Sequence, residues 1–191
     1  PKIDKKYFVN ISSFERRCNI KLVYSRWIKL IQLYLVYRTG NYRGCKYIIV
    51  PHEVDSDNLK NIELMLDSIN MNYLYLSRSK NEEIQKYDSV IVDSVGILLD
   101  LYKYARIAYV GSGFTDGVHS VIEPLAQNCV VCYGPKIDIL DEAVEITNLG
   151  IGHVINNSEE LLNIFKFIKD EKNLLEIQSK GNNYINNKLN A

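Results

Sequence analysis

The sequence carries no surplus of either charge: 23 Lys and Arg stand against 23 Asp and Glu, and the formal net charge is zero. A chain without a basic excess is not drawn to nucleic acid by its overall field, so no nucleic-acid partner is expected. No apolar run reaches the ~20 residues that a membrane-spanning helix needs, and no signal peptide opens the chain. Histidine is scarce. His52, His119 and His153 stand far apart, and no metal-ligand spacing joins them to the cysteines. Neither a metal nor another cofactor is therefore expected. Of the four cysteines (Cys18, Cys45, Cys129, Cys132), the last two sit as CVVC in an apolar run. That is the setting of buried strand thiols in a reducing compartment. An initiator Met is also lacking: the chain starts at Pro1, and the expectation is a piece of something longer.

What is present is an ordinary globular composition, 47% hydrophobic and 24% charged over 191 residues. It suffices for one domain with a real core and extra helices at an end. No internal repeat or low-complexity linker divides it. Short apolar runs alternate with helical patterns along the chain. Strands are expected at Ile20–Ser25, Lys46–Pro51, Asn72–Ser77, Ser89–Asp93, Arg106–Gly111, Cys129–Gly134 and in the short stretch GHVI. Between them, DSDNLKNIELMLDSI opens on Asp and Ser caps and repeats Leu59, Ile62, Leu66 and Ile69 at helical spacing. Helices are also expected in GILLDLYKYA, HSVIEPLAQN, DILDEAVEITNLG and a tail from about Ser158 to Ala191, which Ser158 and Glu160 would start. This alternation predicts an α/β fold, a Rossmann-like parallel sheet with helices on both faces, occupying residues 1–191 as a single domain.

In such sheets ligands sit beyond the carboxyl ends of the strands. Three loops qualify: PHEVD after Val50, DSVG after Val92, and GSGFTDGVHSVIEP after Val110. Each follows a strand and precedes a helix, where backbone N–H groups are free to meet an anion. Neither glycine loop matches a dinucleotide fingerprint or a Walker loop. His119 is a candidate base or merely a cap. Glu123 lies four residues on, so on a continuous helix the two share a face. Its carboxylate suits the paired hydroxyls of a sugar, or only complements the helix dipole. Gly134-Pro135 turns the following loop toward the same edge, and His52 and Glu53 border it.

Taken together, PHEV, DSVGILLDLYKYARIAYVGSGF, GVHSVIEPLAQNCVVCYGP and EAVEITNLGIGHVI resemble the carboxyl-terminal half of the Kdo transferases, in the family's order and spacing. Those enzymes move 3-deoxy-manno-octulosonic acid from CMP-Kdo to the lipid A precursor of lipopolysaccharide. The resemblance runs from about Lys46 to Ile168. It implies the two-domain GT-B glycosyltransferase arrangement, whose carboxyl-terminal domain binds the donor nucleotide. Carried over, it implies that Pro51 and His52 line the cytidine site, and that the backbone of Val95, Gly96 and Ile97 meets the phosphate or base. It implies too that Gly111, Ser112 and Gly113, with His119, Ser120, Val121, Ile122 and Glu123, hold the phosphate and ribose. The implied partners are the donor CMP-Kdo, the lipid A precursor as acceptor, and the cytoplasmic face of the inner membrane, reached through the full-length protein.

The departures are specific. His119-Ser120 stands where the family has His-Asn, and Tyr24-Ser25-Arg26-Trp27 where it has Gly-Ser-Thr-Trp. Ile28, Lys29 and Leu30 replace the acidic residues that follow that Trp. The family's catalytic base is a glutamate of the amino-terminal domain, so the resemblance implies that this chain alone transfers no sugar. Two other readings stay open. One is another GT-B transferase or an epimerase using a UDP-sugar. The other is a degenerate, non-catalytic domain that binds a partner or membrane surface, for which WIKLIQLYLVYR offers an apolar, cation-flanked stretch or simply a core helix.

Overall fold

A computed structural model describes residues 8–12, 46–51, 53–79, 84–111, 117–118 and 120–190. The expected strand at Ile20–Ser25 and the stretch WIKLIQLYLVYR lie outside the described residues. Among the described residues seven strands form one parallel sheet: β1 (Phe8–Ser12), β2 (Lys46–Val50), β3 (Tyr73–Tyr75), β4 (Ser89–Ile91), β5 (Ile107–Val110), β6 (Val130–Tyr133) and β7 (Gly152–Val154). Their order is β3-β4-β2-β1-β5-β6-β7. Among them run α1 (Ser56–Ser68), α2 (Leu98–Tyr102), α3 (Ile122–Ala126), α4 (Asp141–Asn148), α5 (Ser158–Phe167) and α6 (Glu171–Leu189). The expected parallel α/β sheet is found, with one strand, β1, that the apolar pattern does not announce.

Strand β2 shows why both faces are covered. Its side chains alternate, and so do the cores they join. Tyr47 and Ile49 pack in one cluster with Ile62, Met65 and Leu66 of α1. Ile48 and Val50 join the other cluster, with Tyr102, Leu98 and Leu101 of α2. A strand buried on both sides must be apolar along the buried stretch, which is what Tyr47, Ile48, Ile49 and Val50 supply.

Local signals place the helices. The Asp55 carboxylate accepts the backbone N–H of Asp57 at 3.0 Å and of Asn58 at 2.8 Å, capping α1. At α5 the cap is Asn157, one residue before the expected Ser158. Its Oδ1 accepts the Glu160 N–H at 3.0 Å, while Glu160 reaches back to the Asn156 N–H at 2.7 Å. Helix α3 starts at Ile122, later than expected, with Ser120 and Val121 preceding it. The shared face of His119 and Glu123 therefore gains no support, and His119 itself is outside the described residues. Among the described residues no helix is long and apolar enough to cross a membrane.

The CVVC pair illustrates strand geometry. Residues three apart on a strand face opposite ways, and the Cys129 and Cys132 thiols are free and buried in different clusters. Burial pushes Cys129 up to about 12 and Cys132 higher still. Both thiols are expected to resist alkylation at neutral pH until the protein is unfolded, when peptide mapping after iodoacetamide should find both labelled. Labelling of either in the native protein would contradict this packing.

Candidate active site

Sheet order brings the three loops together. Strands β4, β2, β1 and β5 are consecutive neighbours, with Ser12 in register with Val50 on one side and Val110 on the other. The strands run parallel, so Pro51, the Asp93–Ile97 turn and the segment from Gly111 all leave the same edge. The order reverses at β1: β2 to β4 lie on one side and β5 to β7 on the other. This is the topological switch point, where such sheets open a crevice.

The three loops differ in how they are held. Pro51 is buried at the end of β2. The turn after β4 is braced by Asp93, whose Oδ1 accepts the Ser77 N–H at 3.0 Å and whose Oδ2 accepts the Ser77 hydroxyl. Burial pushes the Asp93 carboxyl up, but the side-chain and backbone hydrogen bonds from Ser77 outweigh it and hold the group below its ordinary value. Next to this brace, Gly96 has φ +83°, which L-residues adopt only with strain. No other atom crowds a Cβ there, so backbone conformation alone calls for glycine. Val95, 77% exposed, presents its side chain to solvent beside it.

The third loop is held from β6. Gly111 is buried, and further along Gly117 presses on the Ile139 side chain so closely that a Cβ would collide with it. The Val118 N–H donates to the Lys136 carbonyl at 3.2 Å. The segment after the Gly134-Pro135 turn thus supports the loop, through the Lys136 carbonyl and Ile139. Val121 is fully buried, whereas Ser120 and Glu123 are exposed. Among the described residues the Glu123 carboxylate makes no hydrogen bond or ion pair, which leaves it available to a ligand.

The structure therefore places Pro51, Val95, Gly96, Ile97, Gly111, Ser120, Val121, Ile122 and Glu123 at the carboxyl edge of the sheet. His52, Ser112, Gly113 and His119, together with Tyr24–Trp27, are outside the described residues. Among the described residues no group of three or more His, Cys, Asp or Glu side chains is placed to hold a metal ion. The residue that sequence reading missed is Asp93. Its partner Ser77 is 16 positions away, and no local pattern links the two.

The brace yields a pH prediction. A carboxyl whose folded value is depressed adds stability in full above its unfolded value, and loses it as pH falls through the folded value. Asp93→Asn is expected to destabilise by about 1 kcal/mol at neutral pH, discounted for solvent access. In urea titrations the gap between parent and variant should hold from pH 7 down to about 4, then close at lower pH. A gap unchanged at pH 3 would mean that the Asp93 charge is not what holds the turn.

No protein-family profile matches the chain. Individual proteins do. The 3-deoxy-D-manno-octulosonic acid transferase of Chlamydia muridarum is 32% identical over 114 residues, 57% of this chain and 26% of the relative. The enzyme of the same name from Aquifex aeolicus is 31% identical over 147 residues, 72% of this chain and 39% of the relative. The chain thus spans a quarter to two fifths of the length of these relatives. In fold it matches the C-terminal CMP-Kdo binding domain of WaaA from Acinetobacter baumannii, with a TM-score of 0.73, 16% identity, and coverage of 94% of this chain and 89% of that one. Over the matched span the chain is a homologue of Kdo transferases, and its fold is that of a GT-B carboxyl-terminal domain.

Proposed function

We propose that this chain is the donor-nucleotide domain of a Kdo transferase, binding CMP-Kdo so that Kdo can be passed to the lipid A precursor at the cytoplasmic face of the inner membrane. Residues 1–191 act as one Rossmann-like domain. The observation that carries the reading is the Aquifex relative, 31% identical over 72% of this chain. The convergence of the three loops on one sheet edge supports it. Pro51 lines the cytidine site, the Val95–Ile97 backbone meets the phosphate or base of the donor, and the segment Gly111–Glu123 takes the phosphate and ribose.

In the transfer, a hydroxyl oxygen of the acceptor attacks the anomeric carbon of Kdo. A new C–O bond forms as the bond from that carbon to the phosphate oxygen of CMP breaks, and the acceptor proton goes to a glutamate of the amino-terminal domain. The contribution of this chain is to bind and orient the donor and to stabilise the departing phosphate with backbone N–H groups of its loops. The carboxylate of Glu123 accepts hydrogen bonds from ribose hydroxyls and fixes the nucleoside against rotation.

Calorimetric titration of the 191-residue chain with CMP, UMP and UDP tests the reading. Selective binding of CMP is expected. Binding of the uridine nucleotides alone would replace it with a UDP-sugar enzyme. A full-length protein that forms no product from CMP-Kdo and acceptor would remove it.

A further inference from the structure

The carboxyl-terminal helix α6 has a notch. Leu174, Ile177 and Gly181 form its buried stripe, flanked by partly buried Tyr184 and Ile185. Leu125 of α3 packs at the glycine: a Cβ on Gly181 would lie 2.9 Å from Leu125 Cδ1 and 3.5 Å from its Cγ. Glycine in a helix interior is unfavourable by about 1 kcal/mol relative to alanine, so its presence points to the close approach. Beside the notch, Asn128 holds the left-handed conformation at φ 62°, which asparagine adopts more readily than other non-glycine residues where a helix ends. Its carbonyl accepts from Gln178 Nε2 at 2.8 Å, and its Oδ1 accepts from Asn182 Nδ2 at 2.9 Å. A glycine that goes against helix preference thus meets the asparagine turn that ends α3.

The same helix is fixed along its length. Glu171 pairs with Arg106, just before β5, at 3.3 Å. Tyr184 donates to Glu145 of α4, and Lys188 pairs with that carboxylate at 2.9 Å. Helix α3 has five residues and no side-chain cap at its start, and its end is closed by its own backbone bonds, so its packing against α6 bears on where it sits. Leu125 is two positions from Glu123, and its N–H donates to the Val121 carbonyl at 3.3 Å. A shift imposed at Leu125 is carried directly to Val121, Ile122 and Glu123.

We propose that Gly181 and Asn128 are positioning residues for nucleotide binding: seated in the α6 notch, α3 presents Ser120 and Glu123 at the depth the donor requires. This rests on the donor-domain reading above and adds the element that sets its geometry. The Gly181→Val variant should push α3 outward and weaken CMP by about tenfold, in line with the sensitivity of such sites to small displacements. Adding Leu125→Ala makes room, and affinity should return to within about threefold of the parent while thermal stability falls further, since a buried leucine is lost. Affinity and stability moving in opposite directions is a result that simple loss of packing does not give.

Hydrogen exchange of the amides from Val118 to Ala126, read in the same proteins, makes the test independent of the ligand. Faster exchange there in Gly181→Val, reversed in the double variant, supports the proposal even if the parent binds no CMP, an outcome that would count against the donor reading alone. If Gly181→Val does not fold, Gly181→Ala replaces it, with about threefold weaker CMP expected. A folded Gly181 variant that leaves both CMP affinity and exchange as in the parent overturns the proposal.

Discussion

Replacing Glu123 by alanine is expected to weaken CMP by about 1–3 kcal/mol, roughly five- to hundred-fold in Kd, while leaving the folded protein intact. Two features of the residue lead to this. It is exposed at the start of α3, on the rim that the carboxyl ends of β2, β4 and β5 define. Among the described residues its carboxylate has no protein partner, so removing it strands no buried group and exposes no core. Beyond the small helix-dipole contribution of a first-turn carboxylate, its effect is expected in ligand binding. The Glu123→Gln variant keeps the acceptor oxygen but not the charge, and should retain an intermediate affinity. Calorimetry with CMP, alongside a thermal melt, reads both quantities. An unchanged Kd for Glu123→Ala would assign the ribose to another residue.

The largest effect on stability is expected at Gly152, the first residue of β7, where Gly152→Val should destabilise by about 3 kcal/mol or more and lower Tm by roughly 6–12 °C. A Cβ there would run into the Tyr133 hydroxyl and lie 2.6 Å from Ile146 Cγ1 and 2.8 Å from its Cδ1. Tyr133 and Ile146 are both fully buried and have nowhere to retreat. The Tyr133 hydroxyl is within 3.1 Å of the Ala143 carbonyl and 2.8 Å of Thr147 Oγ1, and so pins β6 to α4. Displacing it adds an unpaired buried hydroxyl to the overpacking. Gly152→Ala combined with Tyr133→Phe removes the hydroxyl from the clash, leaves the Ile146 contact, and should be less damaging than Gly152→Val. A Gly152→Val protein that melts with the parent would refute this contact.

What was legible in the sequence follows from the range over which each feature is encoded. KYIIV and CVVCY announce themselves because burial on both faces demands continuous apolar runs. The start of α1 is written locally, in Asp55 and the two residues whose N–H groups it caps. Phe8–Ser12 carries no such signal although β1 is the central strand of the sheet, because Asn10 and Ser12 break the apolar run that such a strand leads one to expect. The rim could be inferred because strand ends alone locate it. The Ser77–Asp93 brace and the Leu125–Gly181 notch could not, since each joins residues far apart in the chain whose types are commonplace singly. A lone glycine within the amphipathic pattern of the last helix was the one hint of the notch.

The place of β1 has a bearing on how the chain reaches its structure. Of the described strands β1 comes first in the chain, yet its second neighbour is β5, and Ser12 waits for Val110. Until then one hydrogen-bonding edge of the innermost strand is bare, and contacts so distant in sequence form slowly. The α/β units that follow β5 pair strands closer together in the chain and add to an edge already laid down. Nascent chains halted before Val110 should therefore be the ones that associate with one another and call on chaperones, because they display an unpaired central edge rather than a finished sheet.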